Sequence, residues 1–169
     1  MLVSHLALPR EGHLKAVLHV LLYLRENHNS RLALDPTYLE IYHDSFKKHK
    51  WVEFYDNIKE EITTDMPETR GKSVELRMHV ASNHYRDKET RQSRTGFLIL
   101  MNIAFIQWMS KKQPTIETSV LDSEFVAMKH EMETLRGIWY KLRMMGIHIE
   151  GPSYIYGYNM SVIHNTQRP

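Results

Sequence analysis

The sequence predicts an α/β fold: a mixed sheet with a long crossover helix, preceded by an amphipathic helix. Three observations carry this. In "SVELRMHVA", Val74, Leu76, Met78 and Val80 alternate with Glu75, Arg77 and His79, the period of a strand with one buried face. In "GFLILMNIAFIQWM", two apolar runs separated by Met101 and Asn102 read as a hairpin. From Ser119 to about Met145, Leu121, Phe125, Met128, Met132, Leu135, Trp139, Leu142 and Met145 recur at three and four, as in a helix with one face on a sheet.

Each element has its own signal. "PREGHLKAVLHVLLYLRENHN" begins at Pro9 and carries Leu14, Val17, Leu18, Leu21, Leu22 and Leu24 at helical spacing, and "RLALD" after it is short and apolar enough for an edge strand. From Pro36 to Gly71 no period persists, and "TTDMPETRGKS" closes that stretch with turn residues, so a linker is expected. Ser119 is placed to cap the long helix, Asp122 suits its positive end, and Gly146 stops it. "SYIYGY" is a further strand, and the chain ends soon after Asn159, before another helix is expected to finish. The expected divisions are 1–35, 36–73 and 74–169, the last an incomplete domain whose uncovered sheet edge favours self-association.

Composition removes several function classes. The 169 residues contain no cysteine, so disulfides, thiolate zinc sites and a cysteine nucleophile are excluded, and an intracellular chain, cytoplasmic or nuclear, is expected. No apolar run approaches the roughly 20 residues of a membrane span, and no targeting segment is read. A net charge of +2 does not by itself announce a nucleic-acid binder. The 11 histidines show no metal-binding helical spacing, the 10 methionines read mostly as core filling, and no Gly-rich phosphate loop or Gly-x-Ser-x-Gly elbow is present.

Three pieces of the second half resemble the ribonuclease H domain of copia-type retrotransposon polyproteins. "DKETRQSRTGFLILMNIAFIQWMSKKQPTIETS" is similar to the family's run of Asp, Arg-x-Ser-x-Ser/Thr-Gly, a hairpin and Trp-x-Ser-Lys-Lys-Gln. "SEFVAM" resembles its Ala-Glu-Tyr-x-Ala, and "IYGYNMSVI" its Ile-Tyr-x-Asp-Asn-Gln-Ser-Ala. The N-terminal 1–35 resembles the connection that follows a reverse-transcriptase palm. The resemblance implies a ribonuclease H-like fold and, by descent, hydrolysis of RNA in an RNA–DNA hybrid with two Mg²⁺ ions held by converging carboxylates.

Matched position by position, the carboxylates are mostly missing. The family's leading Asp falls on Ala81, its helical Glu on Glu124 and its later Asp on Tyr158, and its fourth acidic position lies past Pro169. One carboxylate cannot fix magnesium, so the resemblance implies an inactive site, no expected cofactor, and either a degenerate nuclease or a non-catalytic module for nucleic-acid or protein contact. Glu124 is open to two roles, relic ligand or helix-dipole residue. Asp122 is favoured as a cap, Asp87 as a turn residue, and Tyr158 as a space-filler over a base-stacking ring. Asn159 is expected to cap the following turn. Lys111 and Lys112 beside Trp108 are open between a phosphate-binding loop and a solvated hairpin end, with an RNA–DNA hybrid or other nucleic acid as partner. Lys47, Lys48 and Lys50 are favoured as a solvated basic turn.

Overall fold

A computed structural model of the chain describes residues 10–31, 35, 37–38, 64–85 and 90–166. The chain divides into two compact units, Met1–Ala33 and Leu34–Pro169. The first holds helix α1, Glu11–Glu26. Its first turn is closed by the Arg10 amide, which donates to His13 Nδ1 at 3.1 Å, and its last by the Asn27 side chain, which donates to the Tyr23 carbonyl at 2.9 Å. The amphipathic helix therefore forms as its spacing demands, although none of its residues is buried. Leu32 to Leu34, the heart of the expected edge strand, and the basic run at Lys47 lie outside the described residues, as does Asp87.

The second unit contains strands β1 (Arg70–Val74), β2 (Leu76–Asn83), β3 (Arg94–Met101) and β4 (Ala104–Lys112), then helix α2 (Val120–Met144), strands β5 (Ile147–Ile149) and β6 (Tyr154–Gly157), and short helix α3 (Met160–Thr166). This is a mixed α/β arrangement with two sheets. β1 and β5 pair in parallel, and a four-stranded sheet has the order β4-β3-β2-β6. In it β2, β3 and β4 are antiparallel neighbours while β6 runs parallel to β2.

Four local expectations need correction. The single strand expected across Val74 to Val80 is broken at Glu75, and Arg70–Ser73, taken as turn residues, belong to β1. The short strand β5 carried too few residues to show a period. A seven-residue helix, α3, does complete itself after Asn159. Lys111 and Lys112 lie within β4 and are not in a loop.

The break at Glu75 has a defined cause. Asn102 opens the two-residue turn between β3 and β4 with φ of 57°, a left-handed conformation that Asn tolerates better than most side chains. From there its amide donates to the Glu75 carbonyl at 2.8 Å, its side-chain oxygen accepts from the Glu75 amide at 2.9 Å, and its carbonyl accepts from the Arg77 guanidinium at 2.7 Å. One turn residue thus holds the junction of β1 and β2.

The core lies between the four-stranded sheet and α2. Leu76, Met78 and Val80 on β2 and Phe97 and Ile99 on β3 are buried under Ala127 and Leu135. At roughly 1.5 to 3 kcal/mol for each large side chain, these residues supply much of the driving force. The helix presents only part of its apolar period to the core, where Met128, Ile138, Trp139 and Leu142 pack partly buried beside Leu135. Its buried line is Ser123, Ala127, Glu131 and Leu135, whereas Phe125, Met132 and Met145 are exposed. Small residues at the N-terminal half let the helix axis approach β2. A Cβ on Gly157 of β6 would sit 2.9 Å from Met128 Cε, so the glycine leaves room for the end of that methionine.

Replacing Asn102 by Gly removes the side-chain bond to Glu75 but keeps the backbone free to hold φ of 57°, and should cost about 1 kcal/mol in urea unfolding. Asn102→Ala adds the left-handed penalty and should cost about 1 kcal/mol more. Equal losses for the two variants would mean that the turn conformation contributes nothing.

Candidate functional site

The last paired residues of the parallel strands β2 and β6 are Val80 and Gly157. Ala81 and Tyr158 follow them at the same end of the sheet. The first turns of α2 close over this end: the Ser82 amide donates to Glu124 Oε2 at 2.9 Å, and the hydroxyls of Ser82 and Ser123 lie 3.0 Å apart. The three positions matched in sequence to metal ligands thus lie at one end of the sheet, Glu124 on the α2 side and Ala81 on the opposite face. Only one is a carboxylate, and it already accepts a backbone N–H.

The neighbouring acid is no substitute. Asp122 accepts from the Ser119 hydroxyl at 2.7 Å and the Thr118 hydroxyl at 3.2 Å, and these bonds hold its carboxyl below the usual range. The Ser119 side chain in turn accepts from the Asp122 amide at 3.1 Å, the cap expected of Ser119 from sequence. Asn159 caps α3 as expected, its side-chain oxygen accepting from the amides of Ser161 at 2.9 Å and Val162 at 3.3 Å. Among the described residues no group of three or more His, Asp or Glu side chains could hold a metal ion. The residues present do not fit magnesium.

Tyr158 does not fill the space of a lost charge. It is 75% exposed and lines a shallow trough of about 300 Å³ with His79, Ala81, Gly96 and Leu98. Trp108, Lys111 and Lys112 do not form one basic-aromatic loop either. In β4 the side chains alternate: Trp108 stands opposite Leu98 and Lys112 opposite Arg94, while Lys111 stands opposite buried Thr95 on the α2 side. Sequence reading joined residues that the pleat separates.

The motif letters that carried the resemblance have structural tasks of their own. Gln113 donates from Nε2 to the Thr95 hydroxyl at 2.9 Å and to the Ser123 carbonyl at 2.8 Å, and its amide donates to the Ser93 carbonyl at 2.8 Å. Ser93, Thr95, Gln113 and Ser123 are all buried. This polar knot ties β3 to the segment after β4 and to the first turn of α2.

A groove beside it, of about 420 Å³, is lined by Thr95, Lys111, Gln113 and Glu131 among others. Glu131 is 3% exposed, one of its oxygens has no hydrogen-bond partner, and burial raises its pKa against the smaller opposing effects of Thr134 and Lys111.

Comparison with known proteins finds the chain similar to Secreted RxLR effector protein 161 of Plasmopara viticola, 29% identical over 75 residues. The similar stretch is 44% of this chain and 51% of the effector, so the chain spans about half the length of the curated relative it matches. No family model matches the chain. No solved structure matches it.

These findings overturn the assignment to a copia-type retrotransposon polyprotein and to the connection of a reverse transcriptase, since the named relative is a secreted effector. The physical reason lies in the polar knot: residues that looked like a lineage signature are demanded by the local architecture. The intracellular, cytoplasmic or nuclear placement is overturned by the same relative. Absence of cysteine records only that this chain is held without disulfides. No described helix is long and apolar enough to cross a membrane.

Glu131 yields a test of sign. A carboxyl whose folded pKa is raised binds more protons in the folded state between its unfolded value, near 4.5, and its folded one, so stability falls as pH rises through that window. Glu131→Gln should therefore raise stability at pH 7 by about 1 kcal/mol, the gain shrinking as pH falls through that window towards 4.5. Thermal melts across pH that show a constant difference, or a loss at pH 7, would reverse this assignment.

Proposed function

We propose that the chain is a non-catalytic module on a ribonuclease H-like scaffold, acting by binding and not by hydrolysis. Three antiparallel strands followed by a long helix and a strand parallel to the first support that scaffold. One observation carries the loss of chemistry. Ala81, Glu124 and Tyr158 lie at the same end of the sheet, yet the only carboxylate among them is engaged by the Ser82 amide. A two-metal mechanism needs several carboxylate oxygens around both ions, and alanine and tyrosine side chains supply none. The likeness to a protein named as a secreted effector makes secretion the compartment to test.

The purified chain should leave an RNA–DNA hybrid intact in Mg²⁺ or Mn²⁺. Its melting temperature should not rise with millimolar Mg²⁺, whereas an occupied site would stabilise the fold by about 2.7 kcal/mol at a hundredfold excess over Kd. Hybrid cleavage by the unaltered chain, abolished by Glu124→Gln, would show that the site is active.

A further inference from the structure

The sheet face turned away from α2 carries side chains in ordered rows. Strand register aligns Tyr156, His79, Leu98 and Trp108 in one row across all four strands. The next row holds Ala81, Gly96 and Ser110, with Tyr158 at its β6 end. The third holds Asn83, Arg94 and Lys112. Successive rows lie roughly 7 Å apart along the strands.

The chemistry changes in a fixed order along that face. The first row is aromatic: His79 and Tyr156 stack with ring centroids 4.8 Å apart and planes inclined by 13°, and Trp108 is 63% exposed. Burial, reinforced by Arg77, lowers the His79 pKa, so its ring is neutral at pH 7 and suited to stacking. The second row is built of small residues, which opens the trough walled by Tyr158 and His79. The third presents two cationic side chains, Arg94 and Lys112.

We propose that this face is a platform for single-stranded nucleic acid, with unpaired bases stacked on Trp108 and Tyr158 and the phosphate backbone along Arg94 and Lys112. This goes beyond the non-catalytic reading and uses a different surface from the carboxylate of Glu124. Exposed rings on a flat sheet can stack only on bases that are not already paired, so a duplex gains nothing from the first two rows. The cationic row is one step from the trough, within the span of a single nucleotide. A protein partner would not need that pairing of an aromatic row with a parallel basic one.

The test is fluorescence anisotropy with labelled oligo(rU), oligo(dT) and a blunt DNA duplex as probes. The full chain should bind a single strand of either sugar more tightly than the duplex. Trp108→Ala and Tyr158→Ala should each weaken binding by roughly 5- to 150-fold. Both side chains are exposed, so the variants should keep the parent melting temperature. Phe125→Ala, an exposed apolar residue on α2, should leave binding unchanged. Arg94→Ala and Lys112→Ala should each flatten the dependence of log K on log salt by about 0.7.

The proposal is overturned if the full chain binds no single strand at low salt, or if the duplex binds as well. It is equally overturned if the aromatic variants bind like the parent, including the case in which Trp108→Ala instead dissolves a dimer seen by light scattering. Hybrid cleavage, by contrast, would refute the non-catalytic reading and leave this result untouched.

Discussion

The close approach of α2 to β2 is the constraint on which the rest of the unit depends. β2 is one of the two interior strands, with β3 antiparallel and β6 parallel to it, and its inward residues Leu76, Met78 and Val80 are almost wholly buried. Covering them at short range requires small residues on the helix, and Ser123 and Ala127 provide that. Larger side chains at those two positions would push the helix off the sheet and open a gap in a core that tolerates few voids. Phe125 and Met132 are left exposed, while Met128, Ile138, Trp139 and Leu142 pack at the flanks of that line.

The same approach determines the chemistry at the sheet end. Docking the helix start over the ends of β2 and β6 brings Glu124 to the Ser82 amide and Ser123 to Ser82 and Gln113. A carboxylate that accepts a strand-end N–H contributes to folding, since that donor would otherwise lack a partner at a partly buried site. In a nuclease the same oxygen would be directed at a metal. Here the nearby positions are an alanine and an exposed tyrosine, so the electrostatic demand for a cation is absent. What this end offers instead is an aromatic wall beside a shallow trough.

Polar burial also explains why short motifs misled. Arg-x-Ser-x-Thr-Gly places Ser93 and Thr95 at the start of β3, where they meet Gln113 of the Trp-x-Ser-Lys-Lys-Gln run. A buried amide with several bonds rigidifies a hairpin and locks a helix start to it. Such a knot needs particular residue types at particular spacings, whatever the chain's history. Letters that solve a local hydrogen-bonding problem carry less information about origin than their number suggests.

By itself the sequence determined the period-two strand β2, the hairpin of β3 and β4, the capped helix α2 with its stop at Gly146, and the Asn159 cap, because each rests on neighbours a few residues apart. The strand in "SYIYGY" was legible as well, but not what its tyrosines face. Only the tertiary structure decided the break at Glu75, which depends on Asn102 from the turn between β3 and β4, and the buried line of α2, which depends on the distance to β2. It also separated Trp108 from Lys111 and set Trp108 in one row with Tyr156, because strand pairing brings side chains together by register, whereas sequence reading groups them by proximity along the chain.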